Sequence, residues 1–409
     1  MGKIRYIFLL AGSFFLLQCV WNNPDESSSY LPINDSEYPY ADLPRFVIET
    51  EGFREIRDKT TEIPARLQVY GESAPESEVM NLTIRGRGNS SFEMGKYGYH
   101  LEFENKESFD GMPKNRDWAL VAVHRDKSFL RNYISYKLAE QLGDEYAPRL
   151  RFVELYLNRE YLGLYQLTET VKVAKERVRI PENDSSFLFE RTTESSLTPS
   201  FFYSSFNYLF QIKSPKNVSE TSKALLVNHI NDFETFLQTN FVYRNNSLAK
   251  WIDTTDFARY FLVQEFSKNL DGNRRSCYLT WQKDSVIKMG PVWDFDITYG
   301  LSSQNKVSPE GWHMRIFGWN RYLFKSPRYQ ATVRNFWNEH HAIFESILDT
   351  IDAIYPHLEK VSKNEFKRWP VLEQDGIWPF IESMESYTAA VDSLKSWIVR
   401  RMEWMDKNL

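Results

Sequence analysis

Cysteine is nearly absent: only Cys19 and Cys277 occur in 409 residues. A disulfide-stapled scaffold is thereby excluded. The seven histidines include no HExxH or other zinc spacing, and adjacent His340 and His341 would point to different faces of a helix, which argues against a zinc enzyme. Neither sign of charge dominates. With 50 basic and 55 acidic residues the net charge is -5, and the basic residues are dispersed, so no nucleic-acid footprint is visible. Beyond about residue 45 there is no low-complexity stretch, repeat or second linker.

What is present begins with an export signal. Lys3 and Arg5 precede "IFLLAGSFFLLQCV", an apolar stretch too short to favour a spanning helix. It ends in "LLQC", Leu16–Cys19, which resembles a bacterial lipobox, with Gln18 where a small residue normally stands. The expectation is a lipoprotein signal over 1–19, lipid on Cys19, a cell-envelope location and a flexible tether over 20–45. The alternatives are an uncleaved anchor or an ordinary secretory signal. Cys277 then has no partner and reads as a small buried hydrophobe.

Residues 46–409 read as one α+β unit, sheet-rich to about 220 and helical beyond. At 42% hydrophobic and 16% aromatic residues, the chain has ample material for a core. "NLTIRGRG" and "YGYHLEFEN" alternate like half-buried strands. "RFVELYLNREYLGLYQLTE" predicts a hairpin turning at Asn158 and Arg159, and "SFLFERT" and "YLFQIKSP" two short strands. "SCYLTWQKDSVIKMGPVWDFD" predicts a second hairpin turning near Lys283 and Asp284. Helical spacing groups Phe129, Tyr133, Tyr136 and Leu142, then Leu226, Ile230, Phe233 and Leu237, with Thr254 a cap for the next helix. Two later stripes run from Ile347 to Leu358 and from Val391 to Met405.

Four stretches carry polar residues that a core would not select. In "RGRGNSS" the glycines allow close backbone approach, and Arg85 and Arg87 offer donors to phosphate oxygens, although on these residues alone a tight turn with solvated arginines is the stronger reading. Lys96, at the mouth of the next strand, could hold a phosphate with Glu169 orienting it. Glu190 and Lys213 each close a short strand. The fourth stretch pairs Asp271, in "KNLDGNRRS", with Asp294 and Asp296 in "GPVWDFD". If Asp294 closes the second hairpin strand, Asp296 two residues on faces the same side. Three carboxylates cannot share a site unpaired, and a hard divalent cation resolves the repulsion, leaving Asp271 as a general base. A structural turn is the alternative.

Taken in order, "RGRGNSS…KYGYHLEFE", "DKSFLRNYISYKLAEQLG", "VELYLNREYLGLYQLTE", "FLFERT", "NLDGNRRSCYLTW", "GPVWDFDITYG" and the closing "NEFKRW" and "LKSWIVRRMEWMD" resemble the CotH family of spore-coat-type atypical protein kinases. The resemblance implies a divergent kinase-like fold that binds ATP with magnesium and phosphorylates protein hydroxyls. It makes Lys96 the phosphate lysine, Glu169 its orienting carboxylate, Asp271 the base and Asp294 the main metal ligand. Arg85, Arg87 and Asn89 match its glycine-rich stretch, Asp126, Arg131 and Asn132 its "D…RN" helix start, and Glu190 and Lys213 similar positions. Ser276 stands where the family has asparagine, so Ser276 or Asn273 would join Asp294 and Asp296 at the metal. Arg159 replaces the glycine of the family's hairpin turn. Two rival readings are a non-catalytic envelope scaffold and a carbohydrate-active protein using Glu190 and Asp294.

Overall fold

Alternation marks several strands in the first half of the molecule. In Met80–Arg87, Leu82 and Ile84 are buried while Thr83 and Arg85 face outward. Its neighbours Ile63–Tyr70 and the first half of Gly98–Glu107 repeat the pattern, whereas Leu150–Leu157 and Glu160–Glu169 are buried on both faces. The computed structural model, which describes residues 33–409 except 89, 240–244, 303–305, 375, 378–379 and 382, shows how those faces are covered. Strands β1 (Arg45–Thr50), β2 (Ile63–Tyr70), β3 (Met80–Arg87), β4 (Gly98–Glu107), β5 (Asn115–Ala122), β6 (Leu150–Leu157) and β7 (Glu160–Glu169) close a barrel in the order β1-β2-β3-β4-β5-β7-β6. Every pairing is antiparallel except β1 with β6, which closes the ring. The interior is solid: Phe103, Phe109 and Trp118 pack ring on ring, with Phe109 edge-on to Trp118 at 5.2 Å.

The β6–β7 turn is where the sequence places it. Asn158 and Arg159 have φ of 51° and 70°, the double left-handed geometry of a tight hairpin. Asn158 tolerates this because its side-chain oxygen accepts the Thr50 amide at 2.9 Å.

A second, antiparallel sheet follows, ordered β12-β11-β8-β10-β9, from β8 (Ser186–Arg191), β9 (Phe201–Tyr203), β10 (Leu209–Ser214), β11 (Cys277–Gln282) and β12 (Lys288–Met289). Helix α1 (Arg131–Gln141) lies between β5 and β6, and α2 (Glu220–Thr239) and α3 (Thr254–Phe266) between β10 and β11. α4 (Asn320–Leu323), α5 (Pro327–Glu345), α6 (Ile347–Arg368) and α7 (Tyr387–Asn408) complete the chain. The α+β class holds. The division near residue 220 does not, because β11 and β12 join their sheet only after two helices.

Three further expectations are corrected. Asp253, not Thr254, caps α3, accepting the amides of Thr255 and Asp256 at 3.1 and 3.0 Å. The second hairpin is short: β12 has two residues, and the chain leaves the sheet at Gly290. Residues 33–44, expected in the tether, pack on the domain: Tyr38 stacks on Tyr161 of β7 at 4.1 Å, and Ala41 is buried in the core shared with the helices. The expected signal, Cys19 and Asn89 lie outside the described residues.

Helix α6 is pinned to β7 by a buried charge. Lys96 Nζ donates to Glu365 Oε1 at 2.6 Å and to the Leu164 carbonyl at 2.7 Å, and Glu365 Oε2 accepts the Leu164 amide at 2.7 Å. Gly163 makes room for this: its φ is +88°, and a Cβ there would lie 2.1 Å from Glu365 Oε2. Gly163→Ala is therefore expected to destabilise by about 2 kcal/mol or more. Thermal denaturation checks it, and an unchanged melting temperature would contradict the packing.

Candidate functional site: an acidic loop pair facing arginines

The loop after α3 is built to present one carboxylate. Asn269 Oδ1 accepts the Asp271 amide at 3.0 Å, and the Asp271 carbonyl accepts the amides of Arg274 and Arg275 at 2.8 and 2.9 Å. The turn holds Asp271 at its head, and Ser276, with φ of 49°, leads into β11. Gly272 lets the loop lie against Gln264, whose Oε1 would be 2.6 Å from an added Cβ.

The second acidic stretch is not a strand. Asp294 lies in irregular chain beyond β12 with φ of 68°, so the expected i, i+2 alternation does not apply. It is held from three sides instead. Asn132 Oδ1, on α1, accepts the Phe295 amide at 2.7 Å, Asn269 Nδ2 donates to the Asp294 carbonyl at 3.2 Å, and the Tyr136 hydroxyl accepts the Asp294 amide at 3.4 Å. Phe295, fully buried, anchors the loop between the two aspartates. Asparagine and aspartate tolerate left-handed backbone better than most residues, and Asp294 stands at a position that needs it.

Asp294 and Asp296 are hydrogen-bonded to each other. Asp271 lies within electrostatic reach of both, but the three do not form a group with ligand oxygens all within 4.8 Å of one another. Asp294 keeps one face open to solvent, but protein crowds its other sides. That desolvation, then the charge of Asp271, raises its affinity for a proton. Burial, followed by the charge of Asp294, does the same to Asp296. Ser276 Oγ donates to Asp294 Oδ2 at 3.1 Å. Asn273 instead donates to the Met314 carbonyl at 3.4 Å and lines the cleft beside Asp271.

Two arginines face this group. Arg87, on the outer face of β3, lies 5.1 Å from the Trp293 ring and is drawn to Tyr278 and Asp294. Arg125, just before α1, is 8% exposed, has a buried Nε without a hydrogen-bond partner, and is felt electrostatically by Asp296 and then Asp294. Burial lowers the pKa of both guanidiniums. Glu190 and Lys213 converge here too, 3.4 Å apart. Glu190 is hydrogen-bonded to Tyr278, which neighbours Arg87 and Asp294. Burial raises the Glu190 pKa against the pull of Lys213.

Other expected residues lie elsewhere. Glu169 pairs with Arg149 at 3.5 Å and Arg177 at 3.9 Å, so Lys96 and Glu169 are not partners. Lys96, fully buried between Glu365 and Leu164, reaches no open surface. Asp126 and Arg131 satisfy one another in an ion pair. Asp126 also accepts the Arg131 amide at 2.9 Å, and Arg131 Nε donates to the Thr298 carbonyl at 2.8 Å. They start α1 and tie it to the acidic loop. Arg85 turns away, donating to the Lys59 carbonyl at 3.0 Å. A further group of potential ligands, His100, Glu102 and Asp117, lies on β4 and β5. Lys172 neutralises Asp117 at 2.5 Å and Arg116 neutralises Glu102 at 3.2 Å.

Sequence reasoning missed Arg125, Asn269 and Glu365. Arg125 was legible as the cation preceding Asp126 in "HRDKSFLRN". Glu365 was legible as a charge continuing the buried stripe Ile351, Leu358 and Val361 of α6.

The donor set fits a hard dication held against a polyphosphate. Asp294 and Asp296 supply carboxylate oxygen, Ser276 adds a neutral one, and Arg125 carries an unsatisfied donor. The barrel and the second sheet define a mixed α+β protein. Residues 84–405 match the family described as CotH kinase protein. The chain belongs to the CotH family. Among curated proteins, no match is found.

Proposed function

We propose that the chain is an atypical protein kinase that uses ATP and magnesium to phosphorylate protein hydroxyls, on a divergent kinase-like fold. Family membership supports a kinase-like activity. The observation that carries the reading is the pair Asp294 and Asp296 within electrostatic reach of Asp271, Arg87 and Arg125, with Ser276 Oγ on Asp294 at 3.1 Å. A bound divalent cation would neutralise phosphate charge at Asp294 and Asp296. Arg87 and Arg125 would orient the phosphates from the barrel side. Asp271, set apart on its turn, would take the acceptor proton, while Arg274, donating to Asp271 Oδ1 at 2.8 Å, fixes the carboxylate's direction. The Lys96 role implied by the resemblance passes to these arginines. Export and a lipid anchor on Cys19 complete the proposal, placing the domain at the cell envelope.

The test is incubation of the protein lacking residues 1–20 with labelled ATP and magnesium. Label should appear on protein and be lost in Arg125→Gln by roughly tenfold or more. Nucleotide binding without transfer would favour an envelope scaffold, a reading favoured by Lys96, which is sealed away from the cleft.

A further inference from the structure

The cleft beside Asp271 carries more positive charge than its own carboxylate balances. It has a volume of about 530 Å³ and is lined by Asp271, Arg274, Arg191, Arg321, Tyr208 and Phe317, among others. Arg274 is spent on Asp271. Arg191, at the end of β8, lies 3.5 Å over the Tyr208 ring, and Arg321, on α4, lies 4.8 Å over Tyr322 and donates to its hydroxyl at 2.9 Å. Among the described residues neither has an ion-pair partner within 4.0 Å, and both guanidiniums lie over rings, with Glu234 acting on Arg191 only at longer range. Burial first, and then the charge of Arg321, disfavours protonation of Arg191. Gly318, with φ of +58°, keeps the space open. A Cβ there would lie 3.1 Å from Arg191 Nη1 and 2.9 Å from Asn273 Oδ1.

Glu234 acts on Arg191 from a distance and Asp271 is taken up by Arg274, so two guanidiniums in one cleft without a direct carboxylate partner are relieved by an anionic ligand. The ligand is not the nucleotide's phosphate chain, because Arg87 and Arg125 face Asp294 from the barrel side. The Arg191–Arg321 cleft is lined instead by chain that follows Asp296, including Ile297, His313 and Phe317. We propose that this cleft receives an acidic acceptor segment: a polypeptide whose target hydroxyl is flanked by carboxylate or phosphorylated side chains that seat between Arg191 and Arg321. The inference rests on Asp271 being the base, and it names the substrate class of that site.

Binding of fluorescent serine peptides to the full chain, followed by anisotropy without ATP, tests it directly. The peptides share one length and differ only in flanking residues: Glu, Gln, Lys or phosphoserine. The Glu peptide should bind about tenfold more tightly than the Gln peptide, less so at high salt, and the Lys peptide more weakly than either. Arg321→Gln and Arg191→Gln should each reduce affinity for the Glu peptide about fivefold. Arg321 stands on the surface, so its variant leaves the fold intact. A phosphoserine peptide that outbinds the Glu peptide still supports the cleft and identifies a pre-phosphorylated acceptor as its source. Equal binding of Glu and Gln peptides overturns the proposal. So does an Arg321→Gln variant that keeps the preference, or one that instead loses affinity for a fluorescent ATP analogue. Because the readout needs no turnover, failure of phosphoryl transfer would remove the kinase reading while leaving this result to stand or fall separately.

Discussion

Asp294→Asn is expected to lower phosphoryl transfer by at least about a hundredfold, comparable to removing a charge-stabilising group from other active sites. The substitution preserves shape. An Asn side-chain oxygen can still accept from Ser276 Oγ, now 3.1 Å away, and the backbone bonds from Asn269 and Tyr136 do not involve the carboxylate. What it removes is one of two crowded negative charges, so without magnesium the variant should melt no lower than the parent. With magnesium and ATP the parent's melting temperature should rise and the variant's should not, since a ligand stabilises only the state that binds it. Asp271→Asn should separate from it: a similar loss of rate with nucleotide affinity retained, because Asp271 faces the acceptor cleft. If Asp294→Asn keeps activity within threefold of the parent, the carboxylate is not a metal ligand and the proposed function fails.

The contrast between what was readable and what was not is physical. Strands β3 and β4 and both late helical stripes follow from period, because one face of each is buried and any slip would invert it, while β6, β7 and β8, buried on both faces, read as short apolar runs bounded by turns. The Asn158–Arg159 turn is equally local. Closure of the barrel is not, since the parallel pairing of Arg45 with Glu154 joins strands more than a hundred residues apart, and no periodicity encodes a partner. The acidic site was legible in its residues and not in its geometry. Asp294 and Asp296 converge through a left-handed residue and a buried Phe295, not through strand alternation. Lys96 shows the opposite failure. Its position at a strand mouth suggested an exposed phosphate contact with Glu169, whereas the helix carrying its true partner begins far along the chain, at Ile347.

That buried pair sets the second large effect. Lys96 and Glu365 are 2.6 Å apart with side chains 0% and 2% exposed, and Glu365 also holds the Leu164 amide. Burial lowers the lysine's pKa and Glu365 opposes that shift. Breaking such a pair from one side leaves a charge with no partner and no water, which costs on the order of 3–5 kcal/mol. Lys96→Met should therefore unfold the protein at markedly lower denaturant concentration. Glu365→Gln, which keeps an acceptor for Leu164, should still leave the ammonium uncompensated and destabilise strongly. The double variant removes both charges and should recover most of the loss, giving a large favourable coupling in a double-mutant cycle. The same double variant decides what Lys96 does. A phosphate-binding lysine would make it stable and inactive. A lysine that only joins α6 to the barrel would make it stable and active, with phosphate contacts left to Arg87 and Arg125. The geometry predicts the second result. Activity lost at full stability would show instead that α6 moves and hands Lys96 to the nucleotide.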